Sequence, residues 1–459
     1  MNTIVALATP LGRSGIGVIR LSGDDALSIA RDIVSEESFA PDPRVAYLKY
    51  LRDDAQSEPI DEALVTFFKK PHSFTGEDIV EISCHGSPVL IRQVIDRCLS
   101  LGARMANPGE FSLRALANGR MNLAEVEAVR DLINAQTTAA ARQAMRQMQG
   151  EFSHRLQPIK DDLLDVIVVL ESALEFVEDD LPAAEMDQIR ERLTAISKSI
   201  SMIASTFKAG KLVREGIRVA IVGRPNVGKS SIFNALLGSE RAIVTEVAGT
   251  TRDQLHERFS IGDIPVSLID TAGLRETADV VESIGVERSK QTMADADLVI
   301  AVLDASEDPG EEDLAILRSV EQMRHFIAVN KTDKVDNGRL EKVITVLKES
   351  IGGPSTTIVE LSAKTGEGLN DLRRAMIQPF DQSEIGEGSF LVSDARHYDL
   401  LVRADDEINH SVDLLVEKAS EEIVLVGLNN ALRFLGQITG ETTTEDMLTR
   451  IFSTFCIGK

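Results

Sequence analysis

The sequence predicts a multidomain chain: an α+β N-terminal domain, a discontinuous α-helical domain, and an α/β domain inserted into the helical one. Three observations predict it. Short apolar runs between turn residues fill residues 1–118. Apolar residues at helical spacing take over at residue 122 and return after residue 388. Between those helical stretches, an apolar run leads into a glycine-containing loop and then a helical pattern. The expected boundaries are 1–118, 119–214, 215–380 and 381–459, with the second and fourth segments forming one domain. The 459 residues leave room for about three cores. Insertion is physically easy where a domain's termini lie close together and exposed. Two separate helical domains are the alternative.

In the first domain the runs at 16–21, 63–68 and 79–82 read as strands. They are punctuated by Gly12, Gly15, Gly23, Pro41, Pro43, Pro71, Gly76 and Gly86. The first helix opens at Asn122, with Glu125 placed three residues on as in a capping box. It carries Leu123, Val126, Val129, Leu132 and Ile133, and is expected to run to Gly150. A second helix carries Leu156, Ile159, Leu163, Val166, Ile167, Leu170 and Leu174 and stops at the Glu-Asp-Asp-Leu-Pro run of 178–182. A third is expected over about 185–208. Beyond the Gly386-Glu387-Gly388 linker, helical spacing resumes at Leu400, Leu401, Ile408 and Val412, then at Leu425, Leu428, Leu432 and Leu435.

The inserted domain carries the chemistry. Residues 223–230 read Gly-Arg-Pro-Asn-Val-Gly-Lys-Ser, the G-x-x-x-x-G-K-[ST] loop that wraps nucleotide phosphates. An apolar run at 219–222 precedes it, and Ser231, Ile232, Ala235 and Leu236 open a helix after it. Gly223 and Gly228 let the backbone approach an anion at a helix N-terminus. Lys229 is expected to reach the β- and γ-phosphates and the Ser230 hydroxyl to ligate Mg²⁺. Asn226, Val227 and Ser231 complete the loop's expected nucleotide contacts. The segment Thr245, Glu246, Val247, Ala248, Gly249, Thr250 and Thr251 lacks apolar periodicity and reads as a switch loop, with Thr251 as a second magnesium hydroxyl. Asp270, Thr271, Ala272 and Gly273 end a further apolar run, where a metal-side carboxylate and a γ-phosphate-sensing glycine belong.

Another short strand ends in Asn330, Lys331, Thr332 and Asp333. The Asp333 carboxylate can accept N–H bonds from guanine N1 and N2; adenine has neither and would leave it unpaired. Ser362, Ala363 and Lys364 follow the run 358–361 and can offer a backbone N–H to the guanine oxygen. These motifs stand in the order of Ras-like P-loop GTPases, so the expected ligand is GTP. The hydrolytic machinery departs from Ras: Leu274 and Arg275 follow Gly273, and no glutamine is there to orient water. The replacement candidates are Glu276, Asp279, Glu282 and Glu287. Asn226 has two readings: a loop residue tolerating a left-handed conformation, or a ligand for a monovalent cation against the phosphates.

A formal charge of −24 speaks against broad, non-specific nucleic-acid binding, so an RNA substrate would need a local basic patch or a basic partner. Cys84, Cys98 and Cys456 make no disulfide framework and suit a reducing compartment. The first ten residues have no basic stretch followed by a long apolar one, and no run of about 18 apolar residues occurs. The expected location is cytoplasmic. Cys84-His85 alone cannot complete a zinc site, and His85 reads as structural. A prenylation reading of Cys456 fails because Ile457-Gly458-Lys459 lacks the second aliphatic residue and ends in lysine.

Further stretches carry a family resemblance. They are Ala8-Thr9-Pro10, Gly17 to Gly23 (Gly-Val-Ile-Arg-Leu-Ser-Gly), Ser73 to Asp78 (Ser-Phe-Thr-Gly-Glu-Asp), Cys84-His85-Gly86, Pro108-Gly109-Glu110-Phe111, Asn118-Gly119-Arg120-Met121 and the terminal Cys456-Ile457-Gly458-Lys459. With the nucleotide motifs, they make the whole chain resemble the MnmE (TrmE) family of bacterial tRNA modification GTPases.

The resemblance implies an N-terminal domain like tetrahydrofolate-binding domains that also mediates homodimerisation. Its folate contacts, to a 5-formyl or methylene form, would fall on Arg20, Glu81, Arg120 and Lys459. Potassium ligands would fall on Asn226, Thr245, Val247 and Thr250, and the water-orienting carboxylate on Glu282. The resemblance further implies an FAD- and NADH-dependent partner like MnmG (GidA), in a heterotetramer or larger complex. Together the two would attach an aminomethyl or carboxymethylaminomethyl group to carbon 5 of the tRNA wobble uridine. GTP hydrolysis would drive a domain rearrangement. Cys456 becomes a possible functional thiol, since the family's tail lies at the folate site. Two positions depart from the family pattern: Ser87 stands where a second glycine is usual, and Arg120 where lysine is common. A ribosome-assembly GTPase, a regulatory scaffold and a stand-alone folate enzyme are the rival readings.

Overall fold

The computed structural model describes residues 2–54, 56–175, 183–238, 256–269, 296–350, 356–380, 390–442, 445–456 and 458. The chain forms two compact units: Met1–Ile133 with Ala144–Ile200 and Leu400–Lys459, and Asn134–Gln143 with Ser201–Asp399.

The first unit begins with a six-stranded sheet of β1 (Ile4–Leu7), β2 (Ser14–Ser22), β3 (Ala46–Leu51), β4 (Asp61–Phe68), β5 (Ile79–Gly86) and β6 (Arg104–Met105), in the order β3-β4-β5-β2-β1-β6. Helices α1 (Ala26–Val34) and α2 (Pro88–Ser100) share one core with it. Strand alternation sends Ile19, Leu21, Val65, Phe67, Val80 and Ile82 into that core, where each is at most 5% exposed. The same alternation puts Arg20 and Glu81, which are register partners, on the opposite face. That face is met by Phe111 of α3 (Glu110–Ala117), in a cluster with Ile4, Ala6, Ala106 and Phe74.

Gly86 is needed where β2 begins and β5 ends: a Cβ there would lie 2.1 Å from Ser14 Oγ. Ser87 is instead the extended N-cap of α2 (φ −84°), a backbone conformation that does not require glycine.

The helix expected from 122 to 150 is two helices, α4 (Leu123–Asn134) and α5 (Thr138–Met148). The start is as expected. Glu125 N–H donates to Asn122 Oδ1 and Asn122 N–H to Glu125 Oε2, both at 3.0 Å. The break comes from Thr137, whose Oγ1 accepts the Ala140 N–H at 3.1 Å and so starts a new helix. Gly150, at φ +83°, ends α5, and α6 (Glu151–Glu175) and α7 (Ala183–Ser205) follow. The third helix stops short of 208: Thr206 donates its hydroxyl to Ile203 O at 2.8 Å, and α8 (Phe207–Glu215) begins after it.

The second unit holds β7 (Ile217–Val222), α9 (Lys229–Gly238), β8 (His256–Ile261), β9 (Ile264–Ile269), β10 (Leu298–Asp304), α10 (Glu311–Val320), β11 (His325–Asn330), α11 (Asn337–Ser350), β12 (Ile358–Glu360) and α12 (Leu369–Ile377). Its sheet runs β12-β11-β10-β7-β9-β8, parallel except for β8 at the edge. Helices cover both faces, so β10 is buried along its whole length.

Helices α13 (Ala395–Val416), α14 (Glu421–Thr439) and α15 (Glu445–Phe452) close the chain. Helix α14 packs along α6. Lys160 Nζ meets Glu441 Oε1 at 2.5 Å, and Ser197 Oγ donates to Asn409 Oδ1 at 3.0 Å. Helical segments from both sides of the α/β unit therefore build the first unit together. Among the described residues, no helix is long and apolar enough to cross a membrane.

Candidate functional site

In an open parallel sheet, ligands sit beyond the carboxyl ends of the strands. Here β7, β10 and β11 end together at Val222, Asp304 and Asn330, with Asp304 and Asn330 in register. The loop from Gly223 to Gly228 joins β7 to the N-terminus of α9, where the helix dipole favours an anion. Three of its residues have positive φ: Gly223 at +155°, Asn226 at +64° and Gly228 at +100°. A Cβ on Gly228 would lie 2.2 Å from Asn330 Nδ2, and one on Gly223 would lie 2.5 Å from Val302 O. These are glycines because backbone must pass there, and the loop fits the phosphate-wrapping role.

Asn330, only 2% exposed, ties the motifs together. Its Nδ2 donates to Val227 O at 2.9 Å, and its Oδ1 accepts the Ala363 N–H at 3.0 Å. The phosphate loop and the Ser362–Lys364 loop are therefore pinned to one side chain. Asp333 stands exposed, with one oxygen held by Ser362 Oγ at 2.7 Å. A carboxylate oriented in this way is ready for a base edge. Lys229 Nζ lies across the loop, donating to Gly223 O at 2.8 Å and Arg224 O at 2.7 Å. Ser230 and Ser231 are exposed in the first turn of α9, Asn226 is exposed in the loop, and Lys364 is exposed beside Ala363. The left-handed reading of Asn226 describes its backbone. Thr245, Glu246, Val247, Ala248, Gly249, Thr250, Thr251, Asp270, Thr271, Ala272, Gly273 and Glu282 lie outside the described residues.

Sequence reasoning missed Asp304 in this site. It is 6% exposed and accepts Lys331 Nζ at 2.5 Å and the Ser306 hydroxyl at 2.6 Å. Burial would raise its pKa, but the Lys331 ammonium and the Ser306 donors outweigh burial and hold it low. The available signal was a lone carboxylate closing an otherwise apolar strand.

The first unit gathers a second group of expected residues. Arg20 and Glu81 meet at 2.7 Å, and Arg20 also donates to Gly458 O at 3.2 Å. Its guanidinium lies 5.8 Å from the ring centroids of both Phe74 and Phe111. The adjoining Ser73 carbonyl accepts Arg120 Nε at 3.0 Å. Gly458 is thus drawn onto the sheet face that bears the Arg20–Glu81 pair. The Cys456 carbonyl accepts the Gly109 N–H at 3.3 Å, and Cys456 is exposed. Lys459 lies outside the described residues. A cation, a carboxylate and flanking aromatic rings suit a ligand that has a carboxylate tail and a planar N–H-bearing ring.

Beside this group lies a buried network that the sequence did not reveal. Arg114, 3% exposed, bonds Glu77 at 2.7 Å, Glu110 at 3.0 Å and Asn2 O at 2.8 Å. Arg104 grips Glu110 from the other side at 2.5 and 2.8 Å. The Cys84 thiol is pushed up to about 11 by burial and then by Asp61, which makes it a poor nucleophile at neutral pH. His85 pairs with Asp61 at 2.7 Å, and no metal-binding cluster occurs among the described residues.

Residues 3–120 match the family model described as the GTP-binding protein TrmE N-terminus, and residues 123–456 match the MnmE helical domain. A tRNA modification GTPase MnmE from Aquifex aeolicus is 42% identical over 457 residues, covering 99% of both chains. One from Koribacter versatilis is 44% identical over 460 residues, covering 100% of this chain and 99% of its own. A solved structure of an Aquifex aeolicus Era variant bound to GDP and aluminium fluoride is 27% identical, covers 42% of this chain and 66% of that one, and has a TM-score of 0.30. With full-length identity above two-fifths and two family models spanning nearly all of its residues, the chain belongs to the MnmE family of tRNA modification GTPases.

Proposed function

We propose that this chain is a potassium-dependent GTPase that works with an FAD- and NADH-dependent partner to modify carbon 5 of the wobble uridine of certain tRNAs, drawing a one-carbon unit from folate. The observation that carries the GTPase part is the Asn330 bridge. One buried side chain holds both the phosphate loop at Val227 and the base-side loop at Ala363. A nucleotide seated there would have its phosphates on the loop and α9, with Ser230 beside its Mg²⁺. Its guanine would lie against Asp333 and Ala363. A potassium ion at Asn226, Thr245, Val247 and Thr250 would supply the positive charge that an arginine supplies in other GTPases. Glu282 is the proposed water-orienting residue, in place of the missing glutamine.

The folate reading places Arg20, Glu81, Arg120 and Lys459 at one ligand, with Cys456 as a candidate thiol. The Arg20 bond to Gly458 O supports the part of this that involves the tail. The proposed domains are 1–118 for folate binding and homodimerisation, 119–214 with 381–459 for the helical domain, and 215–380 for the inserted GTPase domain. The shared packing of α6 and α14 supports the insertion. A cytoplasmic location fits this reading.

Asp333→Asn tests the base assignment. An amide cannot accept both guanine N–H groups but can donate to a carbonyl at carbon 2. GTP affinity is expected to fall by about a hundredfold, with xanthosine triphosphate restoring turnover. GTP binding unchanged in this variant would remove Asp333 from the site.

A further inference from the structure

Two buried carboxylates outside the nucleotide motifs grip the phosphate loop. On one side Asp313, 3% exposed in the first turn of α10, uses its two oxygens for two tasks. Its Oδ1 accepts Arg224 Nε at 2.7 Å, and its Oδ2 accepts the Gly310 N–H at 2.9 Å and so caps the helix. Arg224, the second residue of the loop, also reaches the exposed Glu307 at 3.0 Å. On the other side Asp304 takes Lys331 Nζ at 2.5 Å, and the same ammonium donates to Asn226 O at 2.6 Å.

The loop is therefore held at its second and fourth residues, on either side of an exposed proline. Asn226, at φ +64°, is held in a region that non-glycine residues adopt only at a cost. Lys229 rests on the carbonyls of Gly223 and Arg224, so the grip on Arg224 also sets where Lys229 lies. Loop N–H groups bind an anion well only if their directions are fixed beforehand. Cutting the Arg224 tether would let the loop relax, and a ligand would then have to restore its shape.

We propose that Asp313, acting through Arg224, is a positioning residue for the nucleotide: the pair holds the phosphate loop in its anion-accepting shape and sets nucleotide affinity. The same carboxylate caps α10, so the start of that helix and the loop share one anchor. This inference rests on the GTP reading of the loop and adds a residue to that site.

The test uses the full-length chain with Asp313→Asn, Arg224→Gln, the double variant and Arg224→Lys. Affinity for a fluorescent GDP analogue is measured apart from hydrolysis, together with kcat and KM for GTP in potassium and the melting temperature. Either single variant is expected to raise GDP Kd and GTP KM about tenfold, the size of one charge-assisted hydrogen bond. The double variant is expected to be no worse than the single ones. Arg224→Lys, which keeps the charge but not the fork, is expected to recover part of the loss. Asp313→Asn keeps an oxygen for the helix cap, and Arg224→Lys gives a well-folded variant should it misfold. A lower melting temperature with Kd and KM unchanged, or additive losses in the double variant, would overturn the proposal. A wild-type chain that binds no GDP would instead overturn the GTP reading itself.

Discussion

Gly228→Ala is expected to reduce nucleotide affinity by about a hundredfold or more. Two effects add. The backbone at Gly228 has φ +100°, where an L side chain is strained. The new Cβ would also lie 2.2 Å from Asn330 Nδ2, a side chain that is 2% exposed and has no room to retreat. Asn330 would have to give up its bond to Val227 O, and with it the alignment that holds the Ala363 N–H. Loop and base site would then come apart together. Titration with a fluorescent GDP analogue, alongside circular dichroism to confirm folding, measures this. Retained affinity would mean that the loop binds nucleotide in another shape.

Arg114→Met is expected to destabilise the first unit by about 3–5 kcal/mol, the usual cost of removing one partner from a buried ion pair. The guanidinium is the only described cation bonded to Glu77, and it shares Glu110 with Arg104. Methionine fills much of the volume but leaves the Glu77 carboxylate without its cation, next to the buried Ser22 and Thr75 hydroxyls. Denaturant unfolding followed by far-UV circular dichroism gives the value.

The same network adds an acid limb to stability. Burial works to raise the Glu110 carboxyl, but Arg104, the Asn107 N–H and Arg114 outweigh it and bring it from an ordinary 4.5 to about 2. The folded state thus binds that proton less readily than the unfolded chain. The stabilisation is present above pH 4.5 and is lost as the pH falls towards 2. Without Arg114, the acid transition should begin at a higher pH.

What the sequence disclosed and what it hid divide along chain distance. Lys229, Ser230, Asn330 and Asp333 were legible because their spacing is covalent: a strand, a loop and a helix start deliver them wherever the sheet places its carboxyl ends. The capping box at Asn122 and Glu125 was legible for the same reason. Arg224 with Asp313, Lys331 with Asp304, and Arg114 with Glu77 were not, because each pair joins elements that meet only once the sheet or its covering helices have formed. Thr137 is different. Apolar spacing runs through it without a change, so periodicity sees one helix. The break is decided by a hydroxyl that competes for a backbone N–H, an effect smaller than the hydrophobic pattern around it. For Arg20 and Glu81, family resemblance supplied the positions, and strand register explains why they face each other. The resemblance also put the tail at that site; the fold adds the contact itself, Arg20 donating to Gly458 O.

The most direct test of the central claim is GTP turnover by the purified chain in potassium and in sodium at equal ionic strength, with Glu282→Ala measured beside it. The account predicts fast turnover in potassium alone, lost in Glu282→Ala while GTP still binds. Equal, slow turnover in both salts would contradict it. Asn226 would then be a loop residue with a left-handed backbone and no cation to hold, and the regulatory-scaffold reading would take precedence.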